Sequence, residues 1–136
     1  MYIDTHCHLT FPQYDPDRAM VVGNAKKANV KQFINPGVDL FSSHQALALS
    51  QKHPGIIFSG IGYHPYEAQK LPDVTALEKL IQPEVVAIGE CGLDYHQYNK
   101  EAAEGKKSNQ KRLFDDHLRL ALKHNLPIIM HCRDAY

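Results

Sequence analysis

Five short apolar runs, separated by longer stretches with helical spacing, restrict this chain to a parallel β-sheet layered with helices. The runs cover residues 1–6, 31–36, 56–62, 85–89 and 127–131. They are continuous rather than alternating in polarity, the pattern of strands covered on both faces. After the first run, Asp15-Pro16 supplies a cap and a first-turn proline, and Met20, Val21, Ala25 and Ala28 recur at helical spacing. Asp39 is placed to cap a helix over residues 40–52, which stops before His53-Pro54-Gly55. Asp73 can cap a third helix whose Val74, Leu77, Leu80 and Ile81 share one face. A long amphipathic helix over residues 108–124 turns Leu113, Phe114, Leu118, Ala121 and Leu122 inward, with Asn125 at its C′ position.

The expected architecture is therefore α/β: a TIM-type (β/α) barrel truncated to about five parallel strands and four helices, in one unit over residues 1–136. A complete barrel takes roughly 250 residues, with about 200 as the lower bound. This chain has 136 and stops where the helix after the fifth strand should begin. An open five-strand sheet leaves its first and fifth edges unpaired, and such edges invite self-association.

Composition removes several classes. Fifteen Lys plus Arg balance fifteen Asp plus Glu, so no whole-protein basic field draws in nucleic acid, and polyanion binding has to be local. Cys7, Cys91 and Cys132 form an odd set without C-x-x-C spacing, unlike a secreted disulfide scaffold, which favours a reduced, cytoplasmic setting. No run approaches the roughly 18 apolar residues of a membrane span, and no signal-peptide pattern opens the chain. Residues 93–107 read as one long polar loop. Its Lys100, Lys106 and Lys107 near Tyr95 and Tyr98 could meet single-stranded DNA, with plain solvated charge as the alternative.

Chemistry concentrates where the strands end. His6 and His8 lie two apart, so in a strand both project to one face while Cys7 points away. Two imidazoles so placed can grip one divalent cation, the alternative being a chance H-x-H. Glu90 ends the fourth run, where a buried charge is costly without a partner; a salt-bridged loop acid is the alternative. His64 ends the third run and His131 the fifth, followed by Arg133, whose planar fork suits phosphate or a salt bridge to Asp134. In a parallel barrel these C-terminal strand ends carry the chemistry. Asp94 orients loop or substrate, or stabilises a Gly-Leu-Asp turn. His44, His53, His117 and His124 read as ordinary solvated histidines.

Four stretches, Asp4-Thr5-His6-Cys7-His8-Leu9, Gly62-Tyr63-His64-Pro65, Gly89-Glu90-Cys91-Gly92-Leu93-Asp94-Tyr95 and residues 127–135, resemble the TatD-related deoxyribonucleases of the amidohydrolase-like barrels. The resemblance implies two divalent ions (Mg²⁺, Mn²⁺ or Zn²⁺). His6 and His8 would hold the first, Glu90 would bridge, His131 would hold the second, and His64 and Arg133 would face the scissile phosphate. It implies hydrolysis of DNA phosphodiesters from the 3′ end. Relatives add a His after strand six and a general-base Asp after strand eight, both expected beyond Tyr136, so weak or absent activity is expected of this length. A small-molecule amide or ester hydrolase, and a non-catalytic fragment that self-associates, are the rival readings.

Overall fold

The computed structural model describes the backbone of residues 1–96 and 103–136. Strands β1 (Tyr2–Asp4), β2 (Val30–Pro36), β3 (Ile57–Ile61), β4 (Val85–Asp94) and β5 (Ile128–Arg133) pair in chain order, all parallel. Helices α1 (Arg18–Lys27), α2 (Leu40–Lys52), α3 (Thr75–Glu78) and α4 (Ala103–His124) lie in the crossovers, since parallel neighbours cannot be joined by a tight turn. The result is a half-barrel in which the five expected strands and four expected helices are present.

Local sequence sets the helix ends. At α2 the Asp39 carboxylate accepts from the Ser42 N–H at 2.7 Å, and the Ser42 hydroxyl accepts from the Asp39 N–H at 3.0 Å, a reciprocal cap. Asn125 ends α4 at φ 52°, as its C′ placement requires. The start of α1 differs from expectation. Asp17 stands at its N-cap without a side-chain bond, and Asp15 instead pairs with Arg18.

Two apolar clusters glue helices to sheet. Leu47, Leu77, Leu113 and Leu120 pack on Ile61, Val85 and Ile88, while Phe33 and Ile57 meet Val21, Val22 and Ala25. Double-sided burial holds for β3 and β4 and fails at the edges, where Ile3 is 48% and Met130 61% exposed. No helix among the described residues is long and apolar enough to cross a membrane.

The expected long loop is shortened at both ends: β4 runs on to Asp94 and α4 begins at Ala103. Tyr98 and Lys100 lie outside the described residues. Lys107 places its Nζ 4.8 Å from the centre of the Tyr95 ring, so that cation and that ring face each other.

The buried face of α4 also departs from expectation. Leu118 is 36% and Leu122 81% exposed, whereas Gln110, Leu113, His117, Leu120 and Ala121 are buried. His117, read from sequence as solvated, is fully buried and centres that stripe. Its Nδ1 donates to the Leu113 carbonyl at 2.7 Å and its Nε2 accepts the Tyr63 N–H at 3.0 Å. Both ring nitrogens are thus committed to the neutral form. Burial lowers its pKa below 6.5, against smaller opposing effects of the Leu113 bond and Asp116.

A group whose folded pKa is depressed in this way stabilises the fold fully above its unfolded pKa. That stabilisation is lost as pH falls from 6.5 through the folded value. Urea unfolding should therefore show stability declining from pH 7 to pH 5. In His117→Gln, which can still accept the Tyr63 N–H, the slope should shrink by up to about 1.4 kcal/mol per pH unit, one proton's worth. An unchanged slope would remove His117 from this role.

Candidate metal centre

The chain leaves β1 at Asp4 and continues beside β2, its Cys7 N–H bonded to the Ile34 carbonyl at 3.1 Å. Cys7 turns its thiol to the same carbonyl at 3.3 Å and packs on the apolar cluster below. Burial, then Asp4, raises that thiol to about 12. With Cys7 turned inward, His6 and His8 share the opposite side. The His8 Nδ1 lies 3.2 Å from the Pro36 carbonyl, which can only accept, so the proton sits on Nδ1 and Nε2 carries a bare lone pair. Phe11 stacks flat on the same ring, centroids 4.4 Å apart and planes 10° apart.

Glu90 reaches this pair from β4. Its Oε2 is 3.2 Å from the Nε2 atoms of both His6 and His8, which are 3.1 Å from each other. Three donors at such separations can each lie roughly 2.0–2.2 Å from one ion, so the residues fit a divalent cation. The other carboxylate oxygen, Oε1, faces His131 Nδ1 at 2.8 Å. Burial opposes ionisation of Glu90, but the polar contacts with His8 and His131, with His6 and His64 nearby, outweigh it and lower the carboxyl from 4.5 to about 2. Glu90 is thus an anion with one oxygen toward each side.

His131 stands on β5. Its Nε2 donates to Asp94 Oδ2 at 3.0 Å, which turns the Nδ1 lone pair toward the Glu90 anion. Two lone pairs at that distance need positive charge between them, a proton or a cation. His64 enters from the end of β3. Its Nδ1 accepts the Tyr66 N–H at 3.3 Å, leaving the proton on Nε2, 3.3 Å from His131 Nδ1. Burial first, then His131, lowers the His64 pKa, with Glu90 and Asp94 opposing, so this ring is a neutral donor. His64, Asp94 and His131 also form a possible ligand group by proximity. The tautomer imposed by Tyr66 favours His64 as a hydrogen-bond donor into the site.

His6, His8, Glu90, His131 and His64 therefore converge on one rim. Arg133, two residues past His131 and paired in register with Asp94, is exposed at the same end of β5. Asp94 is the residue that sequence reasoning undervalued. It is buried, and its carboxylate orients His131. The available signal was parity: Glu90, Gly92 and Asp94 lie two apart on one strand and share a face.

The profile of the family described as TatD related DNase matches residues 3–136. Among curated proteins, the 3'-5' ssDNA/RNA exonuclease TatD of Musicola paradisiaca is 35% identical across 98% of this chain and 50% of its own length. The enzyme of the same name from a Pantoea species is 39% identical with the same coverage. Among solved structures, YJJV, a TatD homologue from Escherichia coli K12, superposes with a TM-score of 0.82 at 29% identity, over 98% of this chain and 51% of that one. The chain spans about half the length of the curated relatives it matches.

Proposed function

Because this chain belongs to the TatD-related DNase family, we propose that it supplies the metal-binding wall of a hydrolase that trims single-stranded nucleic acid from the 3′ end. The direction and the strand preference follow the names of its relatives. His6, His8 and Glu90 would hold one divalent ion, and Glu90 with His131 a second. Mg²⁺, Mn²⁺ and Zn²⁺ all accept nitrogen and carboxylate donors, and geometry selects among them. When bound, such ions lower the pKa of a water and offset charge on phosphate oxygens.

The chain's own groups do the rest. His64 presents its Nε2 proton where a non-bridging phosphate oxygen would lie. Arg133 offers a planar pair of donors to the same phosphate. Asp94 keeps His131 facing Glu90. The observation that carries this reading is the Glu90 carboxylate, with one oxygen 3.2 Å from two histidines and the other 2.8 Å from a third.

The test is a 5′-labelled single strand incubated with the protein and Mg²⁺ or Mn²⁺. Stepwise shortening from the 3′ end is expected, abolished by chelation and in His6→Ala/His8→Ala. The 136-residue chain should be slow, since among the described residues Glu90 and His131 alone are assigned to the second position. Absence of both ion binding, followed by calorimetry, and any shortening would defeat the proposal.

A further inference from the structure

His8 presents an ion-facing lone pair without a strand to hold it, since β1 ends at Asp4 and residues 5–8 are irregular. Its Nδ1 donates to the Pro36 carbonyl at 3.2 Å. One bond at one ring atom fixes a point and no more. The χ2 torsion of an imidazole is broad, so the ring could still pivot about that point and swing Nε2 off its target. A ligand nitrogen tolerates little of this, because its lone pair lies in the ring plane.

Phe11 supplies the missing constraint. Its ring lies on the His8 ring, with centroids 4.4 Å apart and planes 10° apart, and its N–H bonds the His8 carbonyl at 3.0 Å, closing a turn. That turn is clamped from β2. Asn35, fully buried, accepts the Thr10 N–H at 3.3 Å through Oδ1 and donates to the Thr10 hydroxyl at 3.2 Å through Nδ2. Arg18 Nε donates to the Leu9 carbonyl at 2.6 Å, and Leu9 is buried with Phe33 and Ile57. Packing alone calls for an apolar side chain at Asn35, where an amide is costly unless bonded. Both halves of this amide are committed to Thr10.

We propose that Phe11 is a positioning residue for His8: the Pro36 carbonyl fixes a point of the imidazole, the Phe11 ring fixes its plane, and Nε2 is thereby aimed between His6 Nε2 and Glu90 Oε2, 3.1 and 3.2 Å away. Two adjacent residues of β2 govern the pose, Pro36 directly and Asn35 through the turn. The inference rests on the reading of His6, His8 and Glu90 as the holders of an ion.

Proton and ¹⁵N spectra of the imidazoles in the whole 136-residue chain, first without metal and then with diamagnetic Zn²⁺, test this ring by ring. A flat ring overhead shields, so in the parent chain the His8 ring protons should resonate upfield of those of the exposed His44 and His53. Coincidence with them would overturn the stack without recourse to any variant. Phe11→Leu keeps apolar bulk and removes the plane, whereas Phe11→Tyr keeps the plane. Without metal, the His8 ring should become mobile in Phe11→Leu and stay rigid in Phe11→Tyr, with unchanged His117 signals reporting an intact fold. Outer groups that orient a ligand are typically worth 10–100-fold in metal affinity, so Phe11→Leu should need about tenfold more Zn²⁺ to shift the His8 nitrogens, and Phe11→Tyr should stay within about twofold of the parent. A His8 ring no more mobile in Phe11→Leu, an unchanged Zn²⁺ requirement, or a Tyr variant as weak as the Leu variant would each overturn the role of Phe11. If Zn²⁺ shifts none of these rings in the parent chain, the ion-holding reading fails, and the metal-free mobility of His8 still decides for or against Phe11.

Discussion

Glu90→Gln will weaken divalent-ion binding at least about 100-fold, equivalent to about 2.7 kcal/mol, and will do so at both positions together. Gln matches Glu in volume but brings no charge, and its amide nitrogen has no lone pair to offer an ion. In the parent chain Oε2 meets His6 and His8 while Oε1 meets His131, so one substitution strips an anionic donor from each side. Calorimetric titration with Mn²⁺ measures the loss, and circular dichroism checks that the sheet persists. Binding within a few-fold of the parent would refute the bridging role. Acid behaviour gives a second signature. A carboxyl lowered from 4.5 to about 2 stabilises the fold above pH 4.5 and loses that contribution as pH falls toward 2. The Gln variant should lack this component of acid sensitivity.

Gly92→Ala should be strongly destabilising for a single added methyl, costing roughly 2–6 kcal/mol from backbone strain and forced separation of strands. Gly92 sits at φ 142°, where a Cβ is strained, and it pairs in register with His131 on β5. A Cβ there would overlap the His131 carbonyl oxygen, with the His131 carbonyl carbon and nitrogen both 3.2 Å away. These are backbone atoms and cannot swing aside. Since domains of this kind are stable by only about 5–15 kcal/mol, urea midpoints should fall steeply. Gly23→Ala is the matched control: nothing lies within 4 Å of its added methyl in α1, and it should be neutral or mildly stabilising. A Gly92 variant as stable as the Gly23 variant would contradict this account.

The order of strands and the main ligands were legible because both depend on local pattern. Continuous apolar runs marked the strands, and His6 with His8 announced a shared face by their spacing. Asp94 was harder to read because Gly89 and Gly92 look like strand breakers. In the structure both adopt φ 142° within β4, which continues past them to Asp94. His117 is hard to read from sequence for a different reason. A histidine counts as polar in a periodicity, so the pattern alone puts the buried stripe of α4 over Leu118 and Leu122, although two hydrogen bonds make the neutral ring a good core residue. The Tyr63 N–H that completes this arrangement lies 54 residues away in sequence, beyond the reach of any local pattern. The ring of Tyr95 taken up by Lys107 is likewise a tertiary fact.

The histidines of the first position hang from the weakest margin of the sheet. β1 is three residues long and exposed throughout, and it borders β2 alone, whereas Glu90 comes from the interior of β4. An ion gripped by His6, His8 and Glu90 would act as a fastener across 84 residues of chain, tying a fraying edge to the middle of the molecule. Occupancy should thus be written most plainly in amide exchange along residues 2–8, a segment that opens readily when bare and closes when loaded, while the interior strands exchange at nearly the same slow rate in both states.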